Sequence, residues 1–169
     1  MISQNTILQR IERFKALCRE RSIKVTPQRM AIFRIVASTE EHPGAEEIYR
    51  QLHSSYPNVS LDTVYRSLWL LADLGLISTV GPRRESVRFD ANSDRHHHFT
   101  CVRCGLIRDF QNTELGELDL PTEAAVFGRL DSLHVEIRGV CSACLQAESS
   151  GQLPDQTSNK KQRKIRRES

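Results

Sequence analysis

Two Cys-x-x-Cys pairs restrict the possible folds of this chain more than any other feature. Cys101 and Cys104 form the first pair, and Cys141 and Cys144 form the second. Four soft thiolates at this spacing suit a tetrahedral Zn²⁺ site that leaves no position open for chemistry. Such a site would join an early strand of a small domain to the end of that domain, where metal binding contributes folding energy directly. Redox-active disulfides and four reduced, buried thiols are the competing interpretations.

The remaining composition indicates a soluble protein of the cytoplasm. The chain has 169 residues, of which 38% are hydrophobic and 27% charged, enough for one ordinary domain or two small ones. No apolar run approaches the ~20 residues that span a bilayer, and the charged N-terminus lacks the apolar core of a signal peptide. We therefore expect no membrane partner. Cys18, the one cysteine outside the pairs, is predicted to be a small core residue of a helix.

Charge is distributed unevenly along the chain. Residues 1–90 carry 13 Lys and Arg against 10 Asp and Glu, whereas residues 91–157 carry 5 against 10. Residues 158–169 are basic again, with 6 against 1. A basic first half and an acidic second half predict different partners for the two.

The first half has the pattern of a winged helix-turn-helix. An amphipathic helix is predicted over residues ~5–21. Thr26 and Pro27 are the expected N-cap and first position of a second helix, and a third, short helix follows. A fourth helix begins after Ser60 and ends at Gly75. Two β-prone runs around a Gly-Pro-Arg-Arg turn then predict the hairpin of the wing.

After Asp90 the pattern changes to that of a small α+β domain. The runs "HHHFTC", "LIRDF" and "LHVEIRGV" predict strands, and "TEAAVFGRL" predicts a short helix. The fold class is therefore α+β, with a winged helix-turn-helix over residues 1–90 and a second domain over residues 91–148. Residues 149–169 are polar with little to bury, and we expect them to be a disordered basic tail.

The run of three histidines contains two ligands for one ion rather than three, if it lies on a strand. Side chains alternate between the faces of a strand, so His96 and His98 share one face and His97 points to the other. Two imidazoles with carboxylates suit Fe, Mn or Zn. The nearby carboxylates are Asp90, Asp94 and Asp109. Solvated surface histidines are the competing interpretation of an isolated His-x-His pair.

With these motifs the chain resembles the ferric uptake regulator (Fur) family over residues ~5–145. The matching segments are "VTPQRMAIF", "EHPGAEEIY", "SLDTVYRSLWLLADLGLI", "RFD", "HHHFTCVRCGLIRDF" and "GVCSAC". The resemblance implies a dimeric, metal-dependent bacterial transcription regulator with an N-terminal winged helix and a C-terminal dimerisation domain. Its expected partners are a double-stranded DNA operator and a second copy of the chain, as a homodimer. It is not expected to be an enzyme.

The resemblance also implies a regulatory metal site distinct from the zinc site. It falls on His42 in the first domain, Asp90 at the hinge, and His96, His98 and Asp109 in the second domain. Fe²⁺ or Mn²⁺ bound there would hold the DNA-binding domains at one relative orientation. An ion can shift that equilibrium only by its differential affinity for the two arrangements.

Asp109 bears on the signal that the protein detects. An Asp rather than a Glu at this position, within a set of three His and two Asp, looks like the peroxide-sensing repressors of the family. Such a ligand set leaves Fe²⁺ an open position for peroxide. Its reaction would oxidise a bound histidine, by family analogy His42 or His96, and so release DNA. Mn²⁺ in the same site would repress without reacting.

The family's additional iron-uptake-type site is incomplete in this chain. His97 supplies one of its ligands, but ungapped register places Leu133 where a His is needed, and His134 lies one residue away on the opposite strand face. Arg95 also stands where that site often has a His. The departure favours the peroxide sensor over the alternative, an iron-responsive repressor of iron-uptake genes. Manganese and zinc sensors are further variants.

The fourth predicted helix is the expected recognition helix. The candidate DNA contacts are Ser60, Thr63, Tyr65 and Arg66 on that helix, Arg83 and Arg84 at the wing tip, and Lys24 and Arg29 near the second helix. Hydroxyls there suit phosphates or a thymine methyl, and arginines suit guanine or phosphates. A core role for Tyr65 and solvated charges at Arg83 and Arg84 are the competing interpretations. Deleting residues 158–169 should lower affinity for all DNA alike and flatten its salt dependence.

Two functions of other classes compete with a DNA-binding regulator. A metalloenzyme could use a His-x-His site, but the chain contains no H-E-x-x-H motif and no nucleophile–base motif to support it. A zinc-ribbon module for protein interaction would leave the winged-helix half without a role.

Overall fold

The computed structural model describes residues 2–81, 87–116, 122–129 and 135–150. Two compact units divide between Arg95 and His96. Several residues singled out from the sequence lie outside the described residues: Arg83 and Arg84 of the predicted wing turn, Leu133, His134 and residues 151–169 of the expected tail. The expected tail began at residue 149, but Ser149 is the last residue of a helix. Within the described ranges, no helix has the length and apolar character needed to cross a bilayer.

The first unit contains four helices followed by a two-stranded antiparallel sheet. The elements are α1 (Gln4–Glu20), α2 (Pro27–Ala37), α3 (Ala45–His53), α4 (Leu61–Asp73), β1 (Ser78–Val80) and β2 (Arg88–Asp90). This order confirms the predicted winged helix-turn-helix, with β1 and β2 as the wing strands.

Local hydrogen bonds fix the ends of the helices in this unit. Thr26 and Ser60 each accept a hydrogen bond from the backbone N–H three residues later, at 3.2 Å in both cases. At the other end of α4, Gly75 adopts a φ of +67°. The N–H of Leu76 then donates to the carbonyl of Leu71 at 3.0 Å, which closes a Schellman motif. The limits of α4 are thus set by its own sequence.

The apolar stripes of the four helices meet in one core. Phe14 of α1 stacks on Phe33 of α2, with ring centroids 4.8 Å apart. Cys18 is completely buried in this core, as predicted for the unpaired cysteine. Phe89 of β2 is also fully buried. Since each large apolar side chain contributes about 1.5–3 kcal/mol when buried, the core attaches the wing strand firmly to the helices.

The loop before α3 is attached to the other side of the wing strand. The N–H of Phe89 donates to the carbonyl of Pro43 at 3.2 Å, and Gly44 forms an antiparallel bridge with Arg88. The loop is therefore held against the first two residues of β2, which ends at Asp90.

The second unit is built on a three-stranded sheet of order β4-β3-β5. Its elements are β3 (His97–Cys101), β4 (Ile107–Phe110), the short helix α5 (Thr113–Gly116), a 3-10 helix (Thr122–Phe127), β5 (Glu136–Gly139) and α6 (Ser142–Ser149). The central strand β3 is antiparallel to β4 and parallel to β5. Helix and sheet together confirm the α+β class.

Three helical elements of this unit differ from the sequence-based expectation, and one of them, α5, was not predicted. The segment expected to be a short helix forms a 3-10 helix that ends at Phe127, because Gly128 takes a φ of +140°. Helix α6 was not predicted at all. Only Cys144 of this helix is buried, so its sequence has no amphipathic stripe by which to recognise it.

The core of the second unit is centred on cysteines. Cys101, Cys141 and Cys144 are buried, and the partly buried residues packed against them are Phe99, Leu106 and Val140. Gly139 of β5 lies so close that a Cβ atom there would be 3.0 Å from the Phe99 ring. A core this small in the described part of the unit buries little apolar area, so its stability must depend on another interaction.

Candidate metal centres and DNA-binding helix

The four paired cysteines come together at one point in the second unit. Their Sγ atoms all lie within 4.8 Å of one another, with Cys101 and Cys144 at 4.0 Å and Cys104 and Cys141 at 3.7 Å. Tetrahedral Zn²⁺ with Zn–S bonds of about 2.3 Å places its sulfurs about 3.8 Å apart. Disulfide bonding would instead bring two sulfurs to about 2.0 Å. The arrangement fits a structural zinc site.

Tight turns position both cysteine pairs. After β3, the N–H of Cys101 donates to the carbonyl of Leu106 at 2.8 Å, and the N–H of Gly105 donates back to the carbonyl of Cys101 at 3.0 Å. Gly105 permits this turn through its φ of +74°. Cys141 is the N-cap of α6, which places Cys144 in the first turn of that helix. The N–H of Cys141 also donates to the Cys101 sulfur at 3.3 Å.

Three cysteines of the cluster differ in how readily their thiols ionise. Burial alone would raise the pKa of Cys101, but hydrogen bonds from the main chain of Cys104, Cys141 and Arg103 outweigh burial and lower the pKa to about 6. The hydrogen bond with Cys141, together with burial, raises the pKa of Cys144 to about 12. Burial also raises the pKa of Cys104. One thiolate forms readily, so a divalent ion is needed to hold four.

An ion pair spans the two cysteine turns. Arg103 lies between the cysteines of the first pair, and its guanidinium is 2.7 Å from a carboxylate oxygen of Glu148 on α6. The hydrogen bond with Arg103 lowers the pKa of Glu148, and the same bond raises the pKa of Arg103. The pair connects the turn after β3 to the helix that carries Cys144.

A group of imidazoles and a carboxylate lies in the same unit as the cysteine cluster. His98 of β3 is directly opposite Asp109 of β4. The Nε2 atoms of His96 and His98 are 3.0 Å apart, and Asp109 Oδ1 lies 3.8 Å from His96 Nε2 and 3.5 Å from His98 Nε2. Adjacent ligands of an octahedral ion with metal–nitrogen bonds near 2.1 Å are separated by about 3.0 Å. The separation of the two imidazoles matches this value, and the carboxylate lies near enough for all three side chains to converge on one ion.

His97 does not belong to this group. It is 3% exposed, and its ring packs against Phe110 with centroids 5.5 Å apart. Its Nδ1 is buried without a hydrogen-bond partner among the described residues. The middle histidine thus faces the opposite side of β3, as strand alternation predicted.

The first unit contains a second group of candidate ligands. His42 is 1% exposed and Asp90 is 4% exposed, and His42 Nε2 lies 3.9 Å from Asp90 Oδ1. Asp90 Oδ1 also accepts a hydrogen bond from the N–H of Asn92 at 2.7 Å, which orients the carboxylate. The third candidate carboxylate, Asp94, is exposed and its N–H donates to Asn92.

Sequence reasoning missed Arg88, which supports this group. The guanidinium of Arg88 donates to the main-chain carbonyl of His42 at 3.2 Å. The two residues are far apart in sequence, and a carbonyl acceptor has no sequence signature. Only the "RFD" segment, which places Arg88 two residues before Asp90, could have pointed to it.

The candidate DNA contacts on α4 already have intramolecular roles. Ser60 caps the helix, and its hydroxyl lies 2.9 Å from that of Thr63. Tyr65 is half-buried and packs against the core. Arg66 is exposed and pairs with Asp62, with two nitrogens each 2.9 Å from one carboxylate oxygen. Ser60 and Arg66 are exposed, whereas Thr63 and Tyr65 are half-buried.

The basic candidates near α2 interact with each other through the main chain. The Arg29 guanidinium donates to the carbonyl of Lys24, and the N–H of Arg29 is capped by Thr26. The Arg29 guanidinium therefore lies against the main chain of Lys24, just before the start of α2.

A winged helix-turn-helix followed by an α+β unit with a four-cysteine cluster and imidazole–carboxylate groups defines a metal-dependent transcription regulator. The family model of the ferric uptake regulator family matches residues 20–133. A peroxide-responsive repressor, PerR, of Staphylococcus aureus is 36% identical over 139 residues, which are 82% of this chain and 94% of that protein. The chain belongs to the ferric uptake regulator family.

Solved structures show the same fold. The ferric uptake regulator of Helicobacter pylori matches with a TM-score of 0.68 and 23% identity, over 86% of this chain and 97% of that chain. The Campylobacter jejuni peroxide stress regulator matches with a TM-score of 0.60 and 26% identity, over 79% of this chain and 98% of that chain. In ligand chemistry, the thiolates suit structural Zn²⁺ and the imidazole–carboxylate groups suit Fe²⁺ or Mn²⁺.

Proposed function

We propose that this protein is a cytoplasmic repressor that binds operator DNA as a homodimer and releases it when peroxide oxidises a metal-bound histidine. The observation that carries the proposal is the position of Asp109. It lies opposite His98 and within 3.8 Å of both paired imidazoles, so an Asp completes a nitrogen-rich site suited to Fe²⁺. The 36% identity with a peroxide-responsive repressor supports the same signal.

One regulatory ion takes ligands from both units in this proposal. The ligand set is His42, Asp90, His96, His98 and Asp109, assigned by resemblance to the family. Three nitrogens and two oxygens leave one position of an octahedral ion open to a small molecule. The cysteine cluster has four ligands for a tetrahedral ion and leaves none open. The two sites therefore divide structure from sensing.

Metal binding acts on DNA affinity through the relative orientation of the domains. An ion that binds one arrangement about 100-fold more tightly than the other shifts the equilibrium by about 2.7 kcal/mol. His42 and Asp90 move with the wing strand and its neighbouring loop, because both are hydrogen-bonded into that part of the first unit. If either residue stopped binding the ion, the ion would no longer fix the orientation of the wing.

Fe²⁺ supplies the capacity to activate hydrogen peroxide for oxidation of an adjacent ligand. The net change is a two-electron oxidation in which the imidazole gains one oxygen atom and the other peroxide oxygen leaves as water. His42 and His96 are the expected targets. An oxidised ring has altered donor atoms, so the ion loses affinity and the DNA-binding arrangement is no longer favoured. Each molecule reacts once, which distinguishes a sensor from an enzyme.

DNA recognition in this proposal uses α4 in the major groove. Ser60, Thr63, Tyr65 and Arg66 are the expected contacts from this helix. Lys24 and Arg29 would contact phosphates, as would Arg83 and Arg84 at the wing tip. Because Arg66 pairs with Asp62, reading a guanine would require the guanidinium to turn away from that carboxylate.

The test uses zinc-replete protein loaded with Fe²⁺ and exposed to micromolar peroxide. Digestion and mass spectrometry should find a +16 Da adduct on His42 or His96, and DNA binding should be lost in parallel. His97 provides an internal control because it is in the same peptide as His96 but faces the other side of β3. Mn²⁺-loaded protein should stay unmodified and bound to DNA. If DNA binding survives peroxide with no oxidised histidine, while chelation still releases DNA, an iron-responsive repressor replaces the proposal.

A further inference from the structure

The backbone of His42 is strained. Its φ is +50°, in the left-handed region that costs a non-glycine residue about 1–2 kcal/mol. Such a conformation persists only where the surrounding structure holds it in place. The neighbouring residues on either side, Glu41 and Pro43, offer the chain no glycine to relieve the strain. Contacts from elsewhere in the fold must therefore maintain it.

These contacts come from the wing strand, and Arg88 supplies two of them. Its guanidinium donates to the His42 carbonyl at 3.2 Å, and its backbone bridges to Gly44. The N–H of Phe89 completes the attachment by donating to Pro43 at 3.2 Å. The three contacts clamp the peptide units that follow His42, which are the ones that a change of its backbone angles would move.

Arg88 lies at the main-chain carbonyl of His42, and Asp90 lies near its imidazole ring. They are two residues apart in β2, so their side chains leave the strand on the same face. The Asp90 carboxylate lies 3.9 Å from the His42 imidazole, and the Arg88 guanidinium holds the His42 carbonyl. One face of one strand thus holds the backbone of His42 through a hydrogen bond and places a carboxylate near its ring.

We propose that Arg88 is a positioning residue for the regulatory metal, which holds His42 in its left-handed conformation and so presents its imidazole to the ion. This inference rests on the proposed function, since it requires His42 to be a metal ligand. Partners of metal-binding histidines typically change metal affinity about 10- to 100-fold when removed. Because Arg88 belongs to β2, the same contact ties the position of His42 to that of the wing.

The direction in which metal affinity changes when Arg88 is removed distinguishes a positioning role from charge repulsion. A guanidinium near a cation site repels a divalent ion, so removing its charge alone would tighten metal binding. Removing a contact that holds a ligand in a strained conformation would weaken metal binding instead. Lysine at this position could still donate one hydrogen bond to a carbonyl, which is the contact that Arg88 makes.

The experiment measures Mn²⁺ affinity of the full-length, zinc-loaded protein without DNA, by the electron paramagnetic resonance signal of free Mn²⁺. We expect Arg88→Met to weaken binding by about 10-fold or more and Arg88→Lys to stay within about threefold of wild type. Arg34→Met, at an exposed position on α2, is the matched control and should bind as wild type does. Zinc content and the unfolding temperature should be unchanged in all three.

Two results would overturn the inference: unchanged or tighter Mn²⁺ binding by Arg88→Met, or a loss in Arg88→Lys as large as in Arg88→Met. If Arg88→Met does not fold, Arg88→Gln replaces it, because its amide reaches two atoms less far than the guanidinium. Wild type and His42→Ala test the proposed function separately. If wild type binds Mn²⁺ no better than His42→Ala, the regulatory site itself is wrong, whereas a difference between them with normal Arg88→Met confines the failure to Arg88.

Discussion

The cysteine cluster and the His42–Asp90 pair are both positioned by hydrogen-bonded turns with a positive φ, but the two turns differ in backbone strain. Both depend on main-chain hydrogen bonds that hold a turn, at Gly105 in one case and at His42 in the other. The cysteine turn uses a glycine for its positive φ, which costs little. The histidine turn places a bulky ligand in the same region of backbone space. An unstrained turn suits the cysteine site, which is expected to hold its ion permanently. A strained turn suits His42, whose release from the regulatory ion is expected to change the arrangement of the domains.

The largest expected effect comes from breaking the zinc cluster. Cys141→Ser removes a proposed zinc ligand and a buried member of the small core, whereas serine can still serve as the N-cap residue of α6. Structural zinc can contribute about 10–16 kcal/mol of apparent binding energy to a small domain, so we expect the second unit to lose both zinc and its fold. Metal content after dialysis, far-ultraviolet circular dichroism and size-exclusion chromatography would measure the loss.

Cys18→Ala is the matched control for this experiment. Cys18 is buried in the core of the first unit, so its removal should lower the free energy of unfolding modestly and leave the zinc content unchanged. A Cys141→Ser protein that keeps stoichiometric zinc and a native spectrum would show that the cluster is four reduced thiols rather than a metal site.

His42→Ala should have the next largest effect, confined to regulation. The variant loses one proposed ligand of the regulatory ion, so the increase in operator affinity on adding Mn²⁺ should fall from about 100-fold to near unity. Zinc content and oligomeric state should not change, because the cysteine cluster lies in the other unit. Fluorescence anisotropy of labelled operator DNA with and without Mn²⁺ is the measurement.

His53→Ala provides the control, since His53 is exposed at the end of α3. It should respond to Mn²⁺ as wild type does. Loss of the dimer in His42→Ala would mean that the regulatory and structural roles are not divided between the two ligand sets, and the comparison above would fail.

Asp109→Glu should weaken the response to peroxide and leave metal-dependent DNA binding intact. The longer side chain keeps a carboxylate beside His96 and His98, but an extra methylene lets it reach the position left open for peroxide. We expect Mn²⁺-dependent DNA binding to persist and the rate of histidine oxidation in Fe²⁺-loaded protein to fall about 10-fold, an effect of about 1.4 kcal/mol on the barrier. Time-resolved mass spectrometry after a peroxide pulse would measure it.

Asp94→Glu is a suitable control because the same change is made at an exposed carboxylate in the preceding turn. Its oxidation rate should match wild type. If Asp109→Glu oxidises as fast as wild type, the identity of this acid does not determine the response to peroxide.

Local patterns in the sequence predicted the parts of each site that local geometry decides. Spacing identified the cysteine pairs, and strand alternation separated His97 from its neighbours. The register that brings His98 opposite Asp109 follows from the short turn between β3 and β4. The contact between Arg88 and His42 could not be predicted in this way, because it joins distant residues through a backbone carbonyl. Its existence depends on the helical core, which places the loop before α3 against the wing strand.

Helix α6 and the recognition helix show the same limit. With only Cys144 buried, α6 is stabilised by its attachment to the cysteine cluster rather than by an apolar stripe, so its sequence gives no periodic signal. On α4, the sequence indicated that Arg66 is polar and exposed but not that it pairs with Asp62. In both cases contacts with other residues decide a feature that the periodicity of the sequence does not predict.

The smallest expected effect concerns the ion pair across the cysteine turns. Arg103→Gln removes the guanidinium that joins the first turn to Glu148 on α6. Both side chains are substantially exposed, at 31% and 49%, so water already weakens their attraction and the fold should persist. The turn would open more often, and we expect zinc transfer to a chromogenic chelator to accelerate about two- to fivefold.

Arg138→Gln, at an exposed position on β5, should transfer zinc at the wild-type rate. The difference between Arg103→Gln and wild type should disappear at low pH: since Arg103 lowers the pKa of Glu148, the pair is intact above the ordinary pKa of a glutamate and is lost as the pH falls through the lowered value. An Arg103→Gln protein that releases zinc as slowly as wild type would show that the cysteine turns hold the site without this support.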